Sequence, residues 1–523
     1  MTSKSAMEES AKYEYGGQNP GIESTLNTVE AVEAPSTSKY GFASPSTSSK
    51  SSHGIPQAVS SQTTYTPLSD ADITTETWLL HLPSELINDI LSRLSPYDLV
   101  RVSKTCKVLY KYARADFFWQ SFVQENVPGK RLRTPSKCAS FYDLYKAHDP
   151  HWFIPKYKIW FADIFTTGRF YVAKYDHESG SITLHRMVAE RLPAKFESWG
   201  EIEESIIHSF EPKVRLHSGP PVLHLDIDVY SRDRSWNEGE ITRRIRNEVA
   251  SKRLPDQPHN NLMFTNFMLA VPSSLEADQS LWPPPRVPAR QRVVAPGSHE
   301  RKLNVARPQQ RSEISDQTFR LRTWIQMGTN NRMGQELSTL STLDPSLYVP
   351  TEEQPYKGIF LGDYSGHGCE WLLVHQQDDP EPFDESKIVR KKDETVGEWE
   401  ARKKNERVYR GSISGIKLTG DPNIPRGEIS WHADDIGVRG FKRFATHKWP
   451  GARIVTSQGH IANQLFRDGM YLTTVLILTL LTLCVDKYIE SELIMISHDV
   501  LAQHWIPFGH ISYFKRVKID DYI

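Results

Sequence analysis

Near residue 152 the chain changes its repeat. Residues 78–127 place apolar side chains three and four apart, the period of an amphipathic helix. Beyond 152 they alternate at every second position between Gly, Pro and Asp turns, the period of half-buried strands. At 523 residues the chain is too long for one ordinary core, and two or three folded units are expected. The pattern predicts an α+β multidomain protein, with a small three-helix module followed by a mostly antiparallel β-barrel domain.

Residues 1–77 are Ser/Thr-rich and lack apolar periodicity, as in STLNTVEAVEAPSTSKYGFASPSTSSKSSHG. Such a segment cannot bury enough surface to offset its ordering entropy, so a disordered tail is expected. The remaining units are read as the helical module at 78–127, a helical linker at 128–151 and the β domain at 152–523. Lys+Arg 63 against Asp+Glu 64 gives a net charge of −1, which makes no electrostatic case for nucleic acid or an anionic membrane. The four cysteines, Cys106, Cys138, Cys369 and Cys484, form no metal-ligand spacing and read as reduced thiols of the cytoplasm or nucleus. The start MTSKSAMEES has no basic-then-apolar leader pattern.

Strand candidates follow one another through the second half. VLHLDIDV sets Leu223, Leu225, Ile227 and Val229 on one face; RFYVAKYD and SITLHRMV flank HESG as a hairpin. KGIFLGDY, EWLLVHQ, SGIKLTG, GEISWHA, GARIVTSQG, ELIMISHD and HISYFKRVKI continue the series. Two insertions interrupt it. Residues 275–316 are Pro/Arg-rich and predict an exposed loop. Residues 376–408 are dense in mixed charge and predict a solvated helix; Arg390-Lys391-Lys392 and Arg402-Lys403-Lys404 also have the form of a two-part nuclear import signal.

Within 78–127, Pro83 suits a helix start, and Leu82, Leu86, Ile90 and Leu94 lie on one stripe with Ile87 and Leu91 beside it. Ser95-Pro96-Tyr97-Asp98 restarts a helix with a capping serine. Leu99, Val102, Cys106 and Leu109 make the next stripe, and Phe117, Phe118, Trp119, Phe122 and Val123 a third short helix. These stripes are wide for so small a core, and a partner's surface is the natural place for the excess. The blocks L-P-x-E-L, I-L-x-x-L, S-P-x-D-L, V-S-x-T-C-K and F-W, in that order, resemble an F-box. The resemblance implies docking on the small adaptor of a cullin-based ubiquitin ligase. Leu82, Pro83, Leu86, Ile90, Leu91, Leu94, Leu99, Val102, Leu109 and Trp119 would then supply the adaptor contact or the module's own core.

In the β region, YKGIFLGDYSGHGCEWLLVH and GIKLTGDPNIPRGEISWHADD carry Gly-, Pro- and Asp-rich turns between strands. They resemble the C-terminal domain of F-box-only proteins described as cyclin-D-binding, as do GHIA and ELIMISHDVLAQHWIPFGHISYFKRV. That implies a β-barrel substrate receptor. A closed antiparallel sheet can hold a ligand or a peptide in its mouth. The candidates for such a mouth are Tyr364, His367, Glu370, Trp371, Thr419, Asp421, Asn423 and Trp431. Ser365 lacks a nucleophile-elbow frame, the glycines lack a phosphate-loop or dinucleotide frame, and His367, His375, His432 and His460 lack metal-ligand spacing.

The expectation is a non-catalytic substrate-recognition subunit, with no cofactor and no metal. Its partners would be the adaptor, through it the cullin scaffold, and a protein target of unknown identity, cyclin-like by the resemblance; neither nucleic acid nor membrane is expected. The alternative is a barrel that binds a small molecule or peptide, with an F-box serving regulation or turnover. One segment fits neither. The apolar insert 469–485 (GMYLTTVLILTLLTLCV) breaks the strand pattern and falls short of the ~20 residues that span a bilayer. It has the form of translated intron: GGT-ATG-TAN and GTA-GAC are allowed codons at its ends, and splicing there leaves FRD-DKYIESELI in frame. A real inserted strand or interfacial segment is the other reading.

Overall fold

The structure, a computed structural model, describes residues 78–129, 131–164, 167–230, 241–246, 248–252, 262–272, 281–294, 307–327, 331–462 and 486–523. The Ser/Thr-rich segment 1–77, the insert 469–485 and parts of 275–316 lie outside the described residues.

The N-terminal module is four helices rather than three: α1 (Ser84–Ser92), α2 (Pro96–Ser103), α3 (Lys107–Ala113) and α4 (Asp116–Asn126). Pro83 precedes α1 as its cap residue, and Ser95 Oγ accepts the Asp98 N–H at 3.3 Å to start α2. The expected second helix is split at Cys106. That residue is extended (φ −154°), and its sulfur accepts the Leu109 N–H, so it starts a new helix instead of continuing the old one. Helix α5 (Phe141–His148) lies within 128–151, and α6 (Phe153–Lys156) leads into the β region. The module does not stand apart. Leu91, Leu99, Phe118 and Trp119 belong to a core that runs on through Leu144 and Ile154 to Trp160 and Phe319 of the first sheet. Trp119 meets Tyr142 edge-on at 4.8 Å and donates its N–H to the Ala113 carbonyl at 2.8 Å.

The β residues form two large sheets. The first takes β1 (Ile159–Ala162), β2 (Arg169–Asp176) and β3 (Ser181–Glu190); a ribbon, β4 (Phe196–Trp199) and β5 (Ile202–His208), leaves it for the second. It continues with β6 (Lys213–Leu216), β7 (Leu223–Leu225), β8 (Val249–Ala250) and β9 (Leu262–Leu269). After a small pair, β10 (Leu281–Trp282) and β11 (Val293–Val294), β12 (Thr318–Met327) and β13 (Asn331–Ser341) complete it. Its path is β6-β3-β2-β1-β13-β12-β9-β8, with β7 on β3. The strand expected over 222–229 ends at Leu225, because Asp226 turns the chain by accepting the Asp228 N–H at 3.2 Å. The 275–316 segment is not simply an exposed loop. Leu281, Trp282, Val287 and Val293 are buried, and Arg292 gathers the carbonyls of Pro283, Pro284, Pro285 and Val287.

The second sheet closes on itself. β14 (Gly358–Asp363), β15 (Cys369–Gln377), β16 (Ser412–Lys417), β17 (Ile429–Ala433), β19 (Arg453–Ala462), β20 (Asp486–Ser497), β21 (Val500–Trp505) and β22 (His510–Arg516) pair antiparallel in that order, and β22 returns to β14. Strand β18 (Phe441–Phe444) adds to β19. At one end β22 leaves β14 and takes β5 as a parallel neighbour, so the ribbon from the first sheet is built into the barrel wall. The two sheets pack through Phe161, Phe170, Leu361, Trp371 and Leu418. The charged insert does form a helix, α7 (Val396–Val408), started by a Thr395–Glu398 capping box.

Candidate functional site

Two places carry the candidate residues. The first is one face of the helical module. Leu82, Leu86 and Ile90 are 36%, 50% and 41% exposed, with Pro83 beside them and Trp78, Val108, Tyr110 and Phe117 also uncovered. Single exposed apolar residues are ordinary, but Leu82, Leu86 and Ile90 recur four apart along one side of the first helix and its lead-in. Other members of the expected adaptor set do a different job. Leu91, Leu99, Leu109 and Trp119 are sealed in the core, and Leu94 and Val102 are half-buried against it. Burial removes the first four from any direct contact; they build the face that the exposed leucines present.

The second place is the barrel end formed by the β14–β15 loop and the turn after β16. Leu372 and Val374 point into the lumen with Phe360, Trp431 and Phe514, so strand alternation turns Glu370 inward as well. Gly415 lies opposite Trp431, and a Cβ there would fall 2.4 Å from the indole, so only glycine admits that ring. The same alternation turns Lys417 inward. Its Nζ lies 2.7 Å from Glu370 Oε2 and 2.6 Å from Asp421 Oδ2, and 4.2 Å from the Tyr364 ring centre. Tyr364 Oη is 2.6 Å from Ser430 Oγ.

One buried cation thus meets two carboxyls. Burial drives the Glu370 carboxyl well above the usual range, only partly offset by Lys417, and the neighbouring Asp421 pushes it the same way. Asp421 goes the other way, to about 2: burial opposes its charge, but Lys417 and the Ile424 N–H favour it. The burial of Glu370 and the pairing of Asp421 thus push two neighbouring carboxyls in opposite directions around one lysine. Asp421 also accepts the N–H groups of Asn423 and Ile424 at 2.7 Å each, which gives the T-G-D-P-N-I-P turn its shape.

Tyr364, Glu370, Asp421 and Trp431 are therefore brought together, and Lys417, which the sequence reading passed over, is at their centre. Its signal was the alternation of Ile413, Gly415 and Lys417 on one face of β16. The other candidates fall elsewhere. His367 is exposed at the loop tip. Trp371 points away from the lumen, a correction forced by its neighbours Glu370 and Leu372: it stacks on Phe170 of the first sheet with ring centres 4.5 Å apart. Thr419 Oγ1 caps the Trp371 N–H at 2.9 Å, and Asn423 is half-buried in the turn. That turn rests on the first sheet through Arg426, which donates to the Asp163 carbonyl at 2.8 Å.

Ser205, His504 and Glu492 line up as hydroxyl, imidazole and carboxylate, at 2.9 and 3.3 Å. All three are buried, and Glu492 is committed to Arg443 at 2.8 and 2.9 Å. The chain of contacts staples the β4–β5 ribbon to the barrel; it does not present a nucleophile. No group of three His, Cys, Asp or Glu side chains among the described residues is placed to hold a metal ion.

A helical module with an uncovered apolar face, joined to a closed barrel with a polar end, defines a two-part binding protein. The family comparisons agree with both halves. Residues 79–125 match an F-box-like domain and residues 340–521 a Cyclin D1 binding domain. The chain carries an F-box-like domain followed by a domain that matches the Cyclin D1 binding domain model. No curated protein matches it.

Proposed function

We propose that this protein is the substrate-recognition subunit of a cullin-based ubiquitin ligase, acting in the cytoplasm or nucleus. The exposed Leu82–Leu86–Ile90 face docks on the small adaptor, and the barrel end shaped from within by the buried Lys417, Glu370 and Asp421 takes hold of a protein target at its exposed rim, where His367 and Pro422 lie; the target is cyclin-like by the family match. The observation that carries the reading is the split within the F-box: the residues that make its core are sealed, while those on the α1 face are left to water.

Catalysis in such an assembly is proximity. The receptor holds the target's lysine near a ubiquitin-conjugating enzyme bound elsewhere, raising its effective concentration, and no side chain of this chain need exchange a proton or bond. The F-box fits that division of labour, since its core is continuous with the first sheet and so carries the barrel with it.

The test is affinity capture of the full chain with ubiquitin transfer blocked, followed by mass spectrometry, beside Asp421→Asn and Tyr364→Ala variants. The expected result is adaptor and cullin with all forms, and a set of proteins lost from both variants. An unchanged captured set contradicts the assignment of the barrel end. The alternative, a barrel for a small molecule with the F-box serving turnover, predicts adaptor binding with no captured protein that depends on Asp421.

A further inference from the structure

The loop Tyr364–Gly368 joins β14 to β15 at the barrel end where Lys417 meets its carboxyls. Its backbone is held in a shape that side chains resist: Ser365 has φ of 51° and Gly368 of 86°. A non-glycine residue stays in that region only where its surroundings over-determine it. Part of the restraint is local. Ser365 N–H donates to Asp363 Oδ1 at 3.1 Å, and Tyr364 N–H donates to the Gly368 carbonyl at 3.0 Å.

The rest comes from the first sheet. Arg191, just past β3, places its Nε 3.1 Å from Asp363 Oδ1 and donates from a terminal nitrogen to the Ser365 carbonyl at 3.1 Å. The Asp363 side chain is 1% exposed, so its charge depends on that guanidinium. Burial pushes its carboxyl up and Arg191 pulls it back. A guanidinium can hold a carboxylate and a carbonyl at once because its donors form a fixed fork; an ammonium is a point charge and cannot hold both in one geometry. Tyr364, whose ring lies over Lys417 and whose hydroxyl meets Ser430, is the first residue of the loop so held.

We propose that Arg191 is a positioning residue of the target site: by clamping Asp363 and the Ser365 carbonyl from the first sheet, it sets Tyr364 over Lys417. The site is then composite, and the 340–521 domain holds its working shape only with the first sheet in place. This rests on the barrel end being where the target binds.

The experiment uses the full chain with Arg191→Met, Arg191→Lys, and the double variant Arg191→Met/Asp363→Asn, in which no buried carboxylate is left without a cation. The first readout is alkylation of Cys369 by iodoacetamide, followed by peptide mapping. Cys369 ends the loop and is half-buried, so it reports loop opening whatever the target is. Loss of a charge-assisted hydrogen bond shifts such an opening by about tenfold. Labelling about tenfold faster in both Met variants, with Arg191→Lys between them and wild type, supports the clamp. Unchanged labelling overturns it, whatever is captured. The second readout is protein capture, with adaptor co-purification as the control. Loss of the Asp421-dependent captured set in the double variant supports the composite site. Faster labelling with that set intact overturns it. If Asp421→Asn itself leaves capture unchanged, the fault lies with the reading of the barrel end and not with the clamp.

Discussion

Lys417 and Asp421 are joined by a 2.6 Å ion pair that folds the turn after β16 back onto its own strand. Both side chains are buried, and Glu370 completes the cluster at 2.7 Å from the same nitrogen. Removing one member of a buried pair leaves an uncompensated charge, which costs about 3–5 kcal/mol. Lys417→Met should therefore lower stability by roughly 3 kcal/mol in urea unfolding. Lys417→Met/Asp421→Asn should recover part of that loss. Equal destabilisation by both would show that the ion pair does not organise the turn.

Two buried histidines should each withdraw stability as the pH falls. His148 and His151 are fully buried, and burial lowers them to about 4 and about 3. The unfolded chain takes up protons at both near the ordinary histidine value of 6.5, while the folded chain does not. The contribution of the two histidines is therefore full above pH 6.5 and falls as the pH drops toward 4, by up to about 1.4 kcal/mol per pH unit for each. Asp149 and Asp163, which burial raises to about 7 and about 6, act in the opposite direction over the same range. The histidine part is read as a difference: His148→Gln keeps a donor for the Gly180 carbonyl, 3.0 Å from the ring nitrogen, and denaturant midpoints from pH 7 to 4.5 should differ in slope from wild type by up to one proton.

Strands β19 and β20 pair without a break from Arg453↔Met495 to Ala462↔Asp486. Deleting 469–485 leaves 463–468 to connect them, close to the length of ordinary hairpin loops. The deletion chain should fold with a stability within about 0.5 kcal/mol of the full chain and with a higher soluble yield, since an apolar run is gone. Transcript reads crossing the site should include a spliced species. Failure of the deletion chain to fold would show that the segment is part of the barrel.

Much of the fold was legible because alternation is a local property. Each barrel strand except β18 and β21 was named from its own residues, and the α2 cap from Ser95-Pro96-Tyr97-Asp98. The break at Cys106 was missed because the 3–4 spacing of Leu99, Val102, Cys106 and Leu109 continues across it, while the sulfur that starts a new helix leaves no mark on that spacing. At the site, Glu370, Trp371 and Asp421 are candidates because they lie in the two Gly-, Pro- and Asp-rich blocks. Block membership does not tell the two faces of a strand apart, and the parity of Trp371 with Leu373 aims it at Phe170. Arg191 was invisible, since its partners lie far along the chain and only the folded sheets bring them together.

The most direct measurement is adaptor co-purification with the full chain carrying Leu86→Asp/Ile90→Asp, beside Leu99→Ala. Leu86 and Ile90 are exposed and Leu99 is fully buried. The double variant should keep the wild-type melting temperature and lose the adaptor. Leu99→Ala should cost about 2–5 kcal/mol of stability. Retention of the adaptor by a well-folded Leu86→Asp/Ile90→Asp chain would contradict the docking face, and with it the ligase function.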